Sequence, residues 1–367
     1  MKYIKKIHYF LIILIISCNF QNESDDITEL YVVLNDNQKN ISDYVEKMEV
    51  IVLETNDDCL ISSVAKIKYI NEKLYVFDIR MNSLFVFNKD GSCDTILSKR
   101  GGGPGEYIQL IDFDVAENHI QVLEPLGAIK RYDFDLEFIG EDKFNIYSSQ
   151  FIQKKDTVFL WNESTNSPNE FYITSINLNN NEIHNFLKMP IRSKKNVGAI
   201  IGNINTFVLK NEQLYASSKL DNMIYYYSDN NFHPKYRITF DKNNFPQNQD
   251  VYEYFEEYYG DNFPYAVKEN YYISDKYLVF QYYYANDRYF CFYDLTTGLL
   301  SNGKMKHDLV EDFIFFPRWG NDNYLIGAVP AESVMYDFPA LSKFNEHIKD
   351  MKKDDNPVII LYTLKSK

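Results

Sequence analysis

Six short apolar runs recur along this chain, and their repetition limits the fold more than any single motif does. They are Leu74–Asp78, His119–Glu124, Thr157–Trp161, Leu214–Ser217, Tyr277–Phe280 and Tyr324–Gly327. Their spacing is roughly 40 to 60 residues, the period of propeller blades plus insertions. Each has an apolar run before it. Several have an aromatic strand after it, as in Leu84–Phe87, Ile129–Tyr132 and Ile224–Tyr227. The 31 tyrosines and 27 phenylalanines favour strands, and helical periodicity is absent over most of the chain. The pattern predicts an all-β, six-bladed propeller whose aromatic residues pack between blades rather than form a carbohydrate platform.

The first blade can be read in full. Its strands are predicted near Val64–Tyr69, Lys73–Asp78, Leu84–Asn88 and Thr95–Lys99, with hairpin turns at Asn71-Glu72 and Lys89-Asp90-Gly91. Antiparallel strands alternate direction. Connections after strands two and four therefore share one face of the disc, and turns after strands one and three share the other. Arg80 and the Arg100–Tyr107 crossing fall on the first face. So do two insertions expected to be helical, Asp250–Gly260 and a segment from Asp337-Phe338-Pro339 to about Lys353. Tyr44–Glu54 alternates like a strand and is placed as the outer strand of the last blade, closing the ring and covering its edge.

The crossing itself reads Arg-Gly-Gly-Gly-Pro-Gly-Glu-Tyr over 100–107. It lacks the Gly-Lys-Ser/Thr ending and the following helix that a phosphate loop needs, and Glu106 would repel phosphate. A blade-to-blade crossing is the favoured reading, with presentation of Arg100, Glu106 and Tyr107 to a ligand as the alternative.

That crossing, followed by Asp112-Phe113-Asp114-Val115 and preceded by the strand pair over 73–91, resembles the six-bladed β-propeller lipoproteins of Gram-negative bacteria, relatives of the NHL and TolB-like propellers. The ending Asn356–Lys365 resembles the last strand of that family. The resemblance implies a fold and an extracytoplasmic address more than an activity.

The N-terminus agrees with that address. Lys2, Lys5 and Lys6 precede an apolar run from Ile7 to Ile16, interrupted by His8 and Tyr9 and too short to span a bilayer. It ends in Ser17-Cys18, which resembles a lipobox cut before Cys18. Residues 1–17 are read as a lipoprotein signal peptide, 18–40 as an acidic tether and 41–367 as the propeller. The expected location is the outer membrane, facing periplasm or cell surface. Cleavage removes three lysines and takes the formal charge from −14 to −17. Such a chain lacks the basic footprint of nucleic-acid binding, so the membrane link is the acyl chain on Cys18. Cys59 and Cys93 flank the first blade and can pair, whereas Cys291 reads as a buried apolar residue.

Catalytic motifs are sparse. His119, His184, His233, His307 and His347 fall in different blades without metal-type spacing. No Gly-x-Ser-x-Gly elbow is present. Asp112 and Asp114 face the same side of one strand. They can hold calcium or do acid–base work, or simply line the channel. Arg318-Trp319 can stack on a sugar or aromatic ligand or serve packing. No cofactor or metal is expected apart from that calcium alternative. The leading expectation is non-catalytic binding of a glycan, a peptide or an envelope protein by the long-loop face, through Arg80, Arg100, Glu106, Tyr107 and Trp161. The alternatives are a metal-dependent lyase or hydrolase acting in the channel, and a structural subunit of an outer-membrane complex.

Overall fold

The computed structural model describes residues 27–162, 170–189, 205–219, 221–246 and 263–366. Six antiparallel sheets of four strands follow one another along the chain and form the blades of a propeller. Blade 1 holds Val64–Ile70, Lys73–Asp78, Ser83–Asn88 and Cys93–Leu97. The second strands of all six blades, Lys73–Asp78, Ile120–Leu123, Thr157–Trp161, Gln213–Ala216, Tyr277–Tyr284 and Tyr324–Val329, coincide with the six recurring runs. They read as continuous apolar stretches because both of their faces pack against neighbouring blades. Leu74, Val76, Phe159, Leu214, Leu278 and Leu325 are all fully buried.

Ring closure follows the expected plan. Val45–Val52 pairs antiparallel with Val358–Leu364 as the outer strand of blade 6, with Ile51 opposite Ile359 and Val50 opposite Ile360. Glu54 N–H then donates to Gly91 O at 2.8 Å, tying the closing strand to blade 1. Gly91 has φ +91°, and a Cβ there would lie 2.0 Å from Val52 O, so only glycine permits this approach. Cys59 and Cys93 form a disulfide across the same seam, with their Cα atoms 6.7 Å apart. Cys291 is fully buried and unbridged, and burial pushes its thiol pKa well up.

Two features depart from expectation. The segment 28–40, assigned to the tether, is part of the domain. Thr28–Val32 adds a parallel fifth strand to the edge of blade 4, and Gln38–Asn40 does the same on blade 5. Leu30 and Val32 turn inward and are buried, while Tyr31 faces out. This short alternation was hidden by the acidic residues around it. The last-blade insertion is also less helical than predicted. One turn-and-a-half helix spans Ala331–Tyr336, before the predicted start, and two 3-10 turns follow at Pro339–Lys343 and Glu346–Asp350. Pro339 does open a helical segment, as the first residue of a 3-10 turn capped by Phe338, but not a continuous helix to Lys353. The helix predicted at Asp250–Gly260 lies outside the described residues.

Candidate functional site: two unlike faces

The connections after first strands are tight, at 71–72, 155–156, 211–212 and 322–323. Asn71, Glu72, Asn211 and Glu212 take positive φ between 48° and 61°, as two-residue hairpins of this twist require. The opposite face carries longer connections, among them 98–111 and 330–357. We call these the narrow-turn and long-loop faces.

Exposed apolar side chains divide unequally between them. Among the described residues, ten of the seventeen exposed large hydrophobics lie on long-loop-face connections: Leu60, Ile79, Met81, Ile108, Leu126 and Tyr147 around blades 1 to 3, and Leu309, Ile314, Tyr336 and Phe344 around blades 5 and 6. The turn 79–82 and the crossing at 108–110 are joined through Asn82, whose Nδ2 donates to Ile108 O at 3.3 Å and whose Oδ1 accepts from Leu110 N–H at 2.6 Å. Ile108 N–H donates to Glu124 Oε1 at 2.8 Å, which brings the 124–127 turn alongside. Ile79, Met81, Ile108 and Leu126 therefore project from connected turns. Ile108, the most exposed of them at 70%, sits one residue beyond a side chain with no exposure at all.

That side chain is Tyr107. Its hydroxyl donates toward Asn82 O and Leu97 O, each at 3.0 Å, and accepts from Lys99 N–H at 3.2 Å. Burial pushes its pKa up to about 12. Tyr132 Oη donates to Gly105 O at 2.9 Å from blade 2. The glycine crossing is thus a closed loop plugged between blades 1 and 2. Gly105 needs its φ of +73° and the room left by its missing Cβ, which would lie 2.7 Å from the Cβ of Phe138.

The five sequence-selected residues consequently separate. Arg80 and Arg100 are exposed on the long-loop face, and among the described residues neither has an acidic partner. Glu106 is exposed, but its carboxylate folds back to accept from Gly103 N–H at 2.8 Å and so completes the loop. Tyr107 and Trp161 are core residues. Trp161 stacks on Tyr172 at 5.1 Å and meets Phe207 edge-on at 5.6 Å. Position in a turn or at a strand end does not say on which side of the backbone a side chain lies. The exposed apolar residues were overlooked, although Ile79 and Met81 flanking Arg80 are an apolar pair where a turn ordinarily carries polar residues.

The narrow-turn face opens into the channel, a cavity of about 520 Å³ between the inner strands. Its wall is polar but internally paired. Lys66 Nζ donates to Asp112 Oδ1 at 2.7 Å and to Phe113 O at 2.9 Å, and Lys68 pairs with Asp114. Asp112 Oδ2 accepts from Phe151 N–H at 3.1 Å. Burial raises the Asp112 pKa against the pull of Lys66. Both aspartates thus serve as counter-ions to lysines. Among the described residues no three His, Cys, Asp or Glu side chains converge as a metal-binding group would require. The lysines of blade 1 were the unread half of this wall.

The architecture is found in other solved structures. A protein of Bacteroides fragilis described as exported is 20% identical, with a TM-score of 0.74 over 92% of this chain and 100% of its own. A member of the DUF4221 family from Bacteroides vulgatus is 10% identical, with a TM-score of 0.52 over 88% of this chain and 97% of its own. No curated protein matches the sequence. A model of a domain of unknown function covers residues 26–363, nearly the whole propeller and both of its added edge strands, and the chain therefore belongs to the DUF4934 family.

Proposed function

We propose that this protein is an exported, lipid-anchored propeller that holds a protein partner of the cell envelope against its long-loop face. The carrying observation is the concentration of exposed apolar side chains on that face, with Ile79, Met81, Ile108 and Leu126 on the same face as Arg80 and Arg100, which have no acidic partner among the described residues. Contiguous apolar exposure on a folded surface is the usual mark of a protein-binding site. Aliphatic side chains desolvate well against a peptide or protein and poorly against a sugar. Both tryptophans of the chain, Trp161 and Trp319, are buried, so neither serves as a stacking platform for a glycan. These two exposed arginines favour an acidic rim on the partner. The basic, apolar N-terminus with Ser17-Cys18 supports export and lipid attachment.

The test is site-specific photo-crosslinking in intact cells, with a photoreactive residue at Ile108 or, on the opposite face, at Leu299. Both positions are strongly exposed. A discrete protein adduct from position 108 that is absent from position 299, and is lost on Arg80→Glu/Arg100→Glu, is the expected result. Equal labelling from both positions, or none from 108, overturns the assignment.

A further inference from the structure

A second site lies on the long-loop face away from Ile79, Met81, Ile108 and Leu126, where blades 4, 5 and 6 meet. A cavity of about 290 Å³ opens there between the inner strand of blade 5 and the crossing into blade 6. Its wall is built by a local irregularity. In the pairing of Val267–Ile273 with Tyr277–Tyr284, Lys268 lies opposite Tyr282 and Tyr271 opposite Phe280. Glu269 and Asn270 together therefore face the single residue Gln281. Such a bulge re-aims side chains and is common beside binding sites. Here all three residues involved line the cavity.

Three cations and one carboxylate line it among the described residues. Arg288 Nε donates to Glu269 Oε2 at 2.8 Å, and Lys219 Nζ lies 3.7 Å from Glu269 Oε1. Both cations thus reach the Glu269 carboxylate. Arg318, the third, has no acidic partner among the described residues. Its guanidinium instead rests over the Trp319 ring at 5.3 Å. That ring is fixed by Nε1 donating to Ala65 O at 3.0 Å. Arg318 thus leaves the wall positive, in a chain whose formal charge is −14. Stacking holds Arg318 in place without neutralising it, and a fixed fork of donors suits a carboxylate.

The cavity also holds an unmet acceptor. Asn270 is 4% exposed, and its Oδ1 is buried without a hydrogen-bond partner. Leaving a buried acceptor unpaired is costly, and a donor placed in the cavity would remove that cost. Gln281 does not supply one, because the two hydrogens on its Nε2 go to Pro317 O at 2.6 Å and to the Tyr272 hydroxyl at 3.4 Å.

We propose that this cavity binds a small hydroxycarboxylate, with its carboxylate between Arg288 and Arg318 and a hydroxyl donating to Asn270 Oδ1. An amino acid fits less well, because its ammonium group would meet the net positive wall. The volume is at the small end of ligand pockets and suits a single sugar acid rather than an oligosaccharide.

The test is isothermal titration of the protein from residue 19 onward with D-glucuronate and glycolate, beside glucose, acetate and L-alanine. Trp319 fluorescence serves as a second readout. Saturable binding of glucuronate, with glucose and acetate each about tenfold weaker or more, is expected. Arg318→Gln should abolish it while leaving the unfolding midpoint in place, since among the described residues the Arg318 side chain makes no hydrogen bond. Equal binding of glycolate and glucuronate would keep the chemistry and exclude sugar selectivity. Equal binding of acetate would reduce the site to simple charge attraction, and no binding of either hydroxycarboxylate would overturn it. The photo-crosslink at position 108 is independent of all these outcomes.

Discussion

Lys66 and Asp112 join the first two blades across the channel wall, Nζ to Oδ1 at 2.7 Å, and Asp112 carries the link on by accepting Phe151 N–H from blade 3. Three consecutive blades meet at one carboxylate that is 4% exposed. Removing one partner of a buried ion pair costs about 3 to 5 kcal/mol, because the remaining charge is left uncompensated. Lys66→Met should therefore lower the stability to urea by about 3 kcal/mol at neutral pH. Burial raises the Asp112 pKa in the folded protein above its ordinary 3.8. A carboxyl raised on folding favours the folded state below its unfolded pKa, and that advantage is lost as pH rises through the folded value. The Lys66→Met deficit should accordingly be small near pH 4 and grow toward neutrality. A deficit independent of pH would place the loss in the packing of the lysine stem instead.

Tyr107 and Arg100 bracket the glycine crossing and should respond oppositely to substitution. Tyr107→Phe removes a hydroxyl that serves Asn82 O, Leu97 O and Lys99 N–H inside the seam. Leaving those groups unmet should cost about 2 kcal/mol. Arg100→Ala, on the exposed side of the same loop, should fall within about 0.5 kcal/mol of the parent. Chemical denaturation of the two variants measures both. A neutral Tyr107→Phe would mean that the phenol ring alone plugs the seam.

These contrasts mark what the sequence could carry. All six second strands were legible because strands buried on both faces show as unbroken apolar runs. The closing strand was legible because Met48, Val50 and Val52 alternate with residues of the opposite face. Side-chain direction at turns was not legible, so Tyr107 and Trp161 were placed on a surface that their rings leave. The bulge at Glu269-Asn270 was not legible either. It exists only in the pairing with Gln281, and nothing local in the inner strand encodes it. Arg318-Trp319 was visible as a stacking pair, but the missing counter-ion of Arg318 appears only once the acids of blades 4 to 6 are in place.

His307 supplies a pH dependence of its own. Its Nδ1 accepts from Val310 N–H at 3.1 Å, which places the ring proton on Nε2, 3.3 Å from the Tyr362 hydroxyl. Protonating Nδ1 would break the Val310 bond in a site that is 6% exposed. Burial accordingly depresses the pKa from 6.5 to about 4. A base depressed on folding favours the folded state above its unfolded pKa, and the contribution is lost as pH falls toward the folded value. Stability should decline between pH 6.5 and about 4. In His307→Gln, which keeps a hydrogen-bonding amide but does not titrate, the decline over that window should flatten, as read from thermal midpoints at half-unit steps. An unchanged slope would assign the decline to other groups.

The added edge strands give the last prediction. Thr28–Val32 covers the backbone edge of Asn231–Phe240 on blade 4, and Gln38–Asn40 covers that of Leu300–Lys306 on blade 5. Arg237 also reaches Glu29, with Nη1 2.6 Å from Oε1. A protein begun at Ile41 keeps the closing strand but loses the burial of Leu30 and Val32, worth on the order of 4 kcal/mol. It also exposes two sheet edges with unpaired N–H and C=O groups, which are templates for pairing with a second molecule. Relative to a protein begun at residue 19, it should unfold at lower temperature and self-associate with rising concentration, as measured by light scattering. If it only loses stability and stays monomeric, the two strands act as packing for blades 4 and 5. If it does neither, the pairing of 28–40 with the blades carries no weight, and the domain begins at the closing strand.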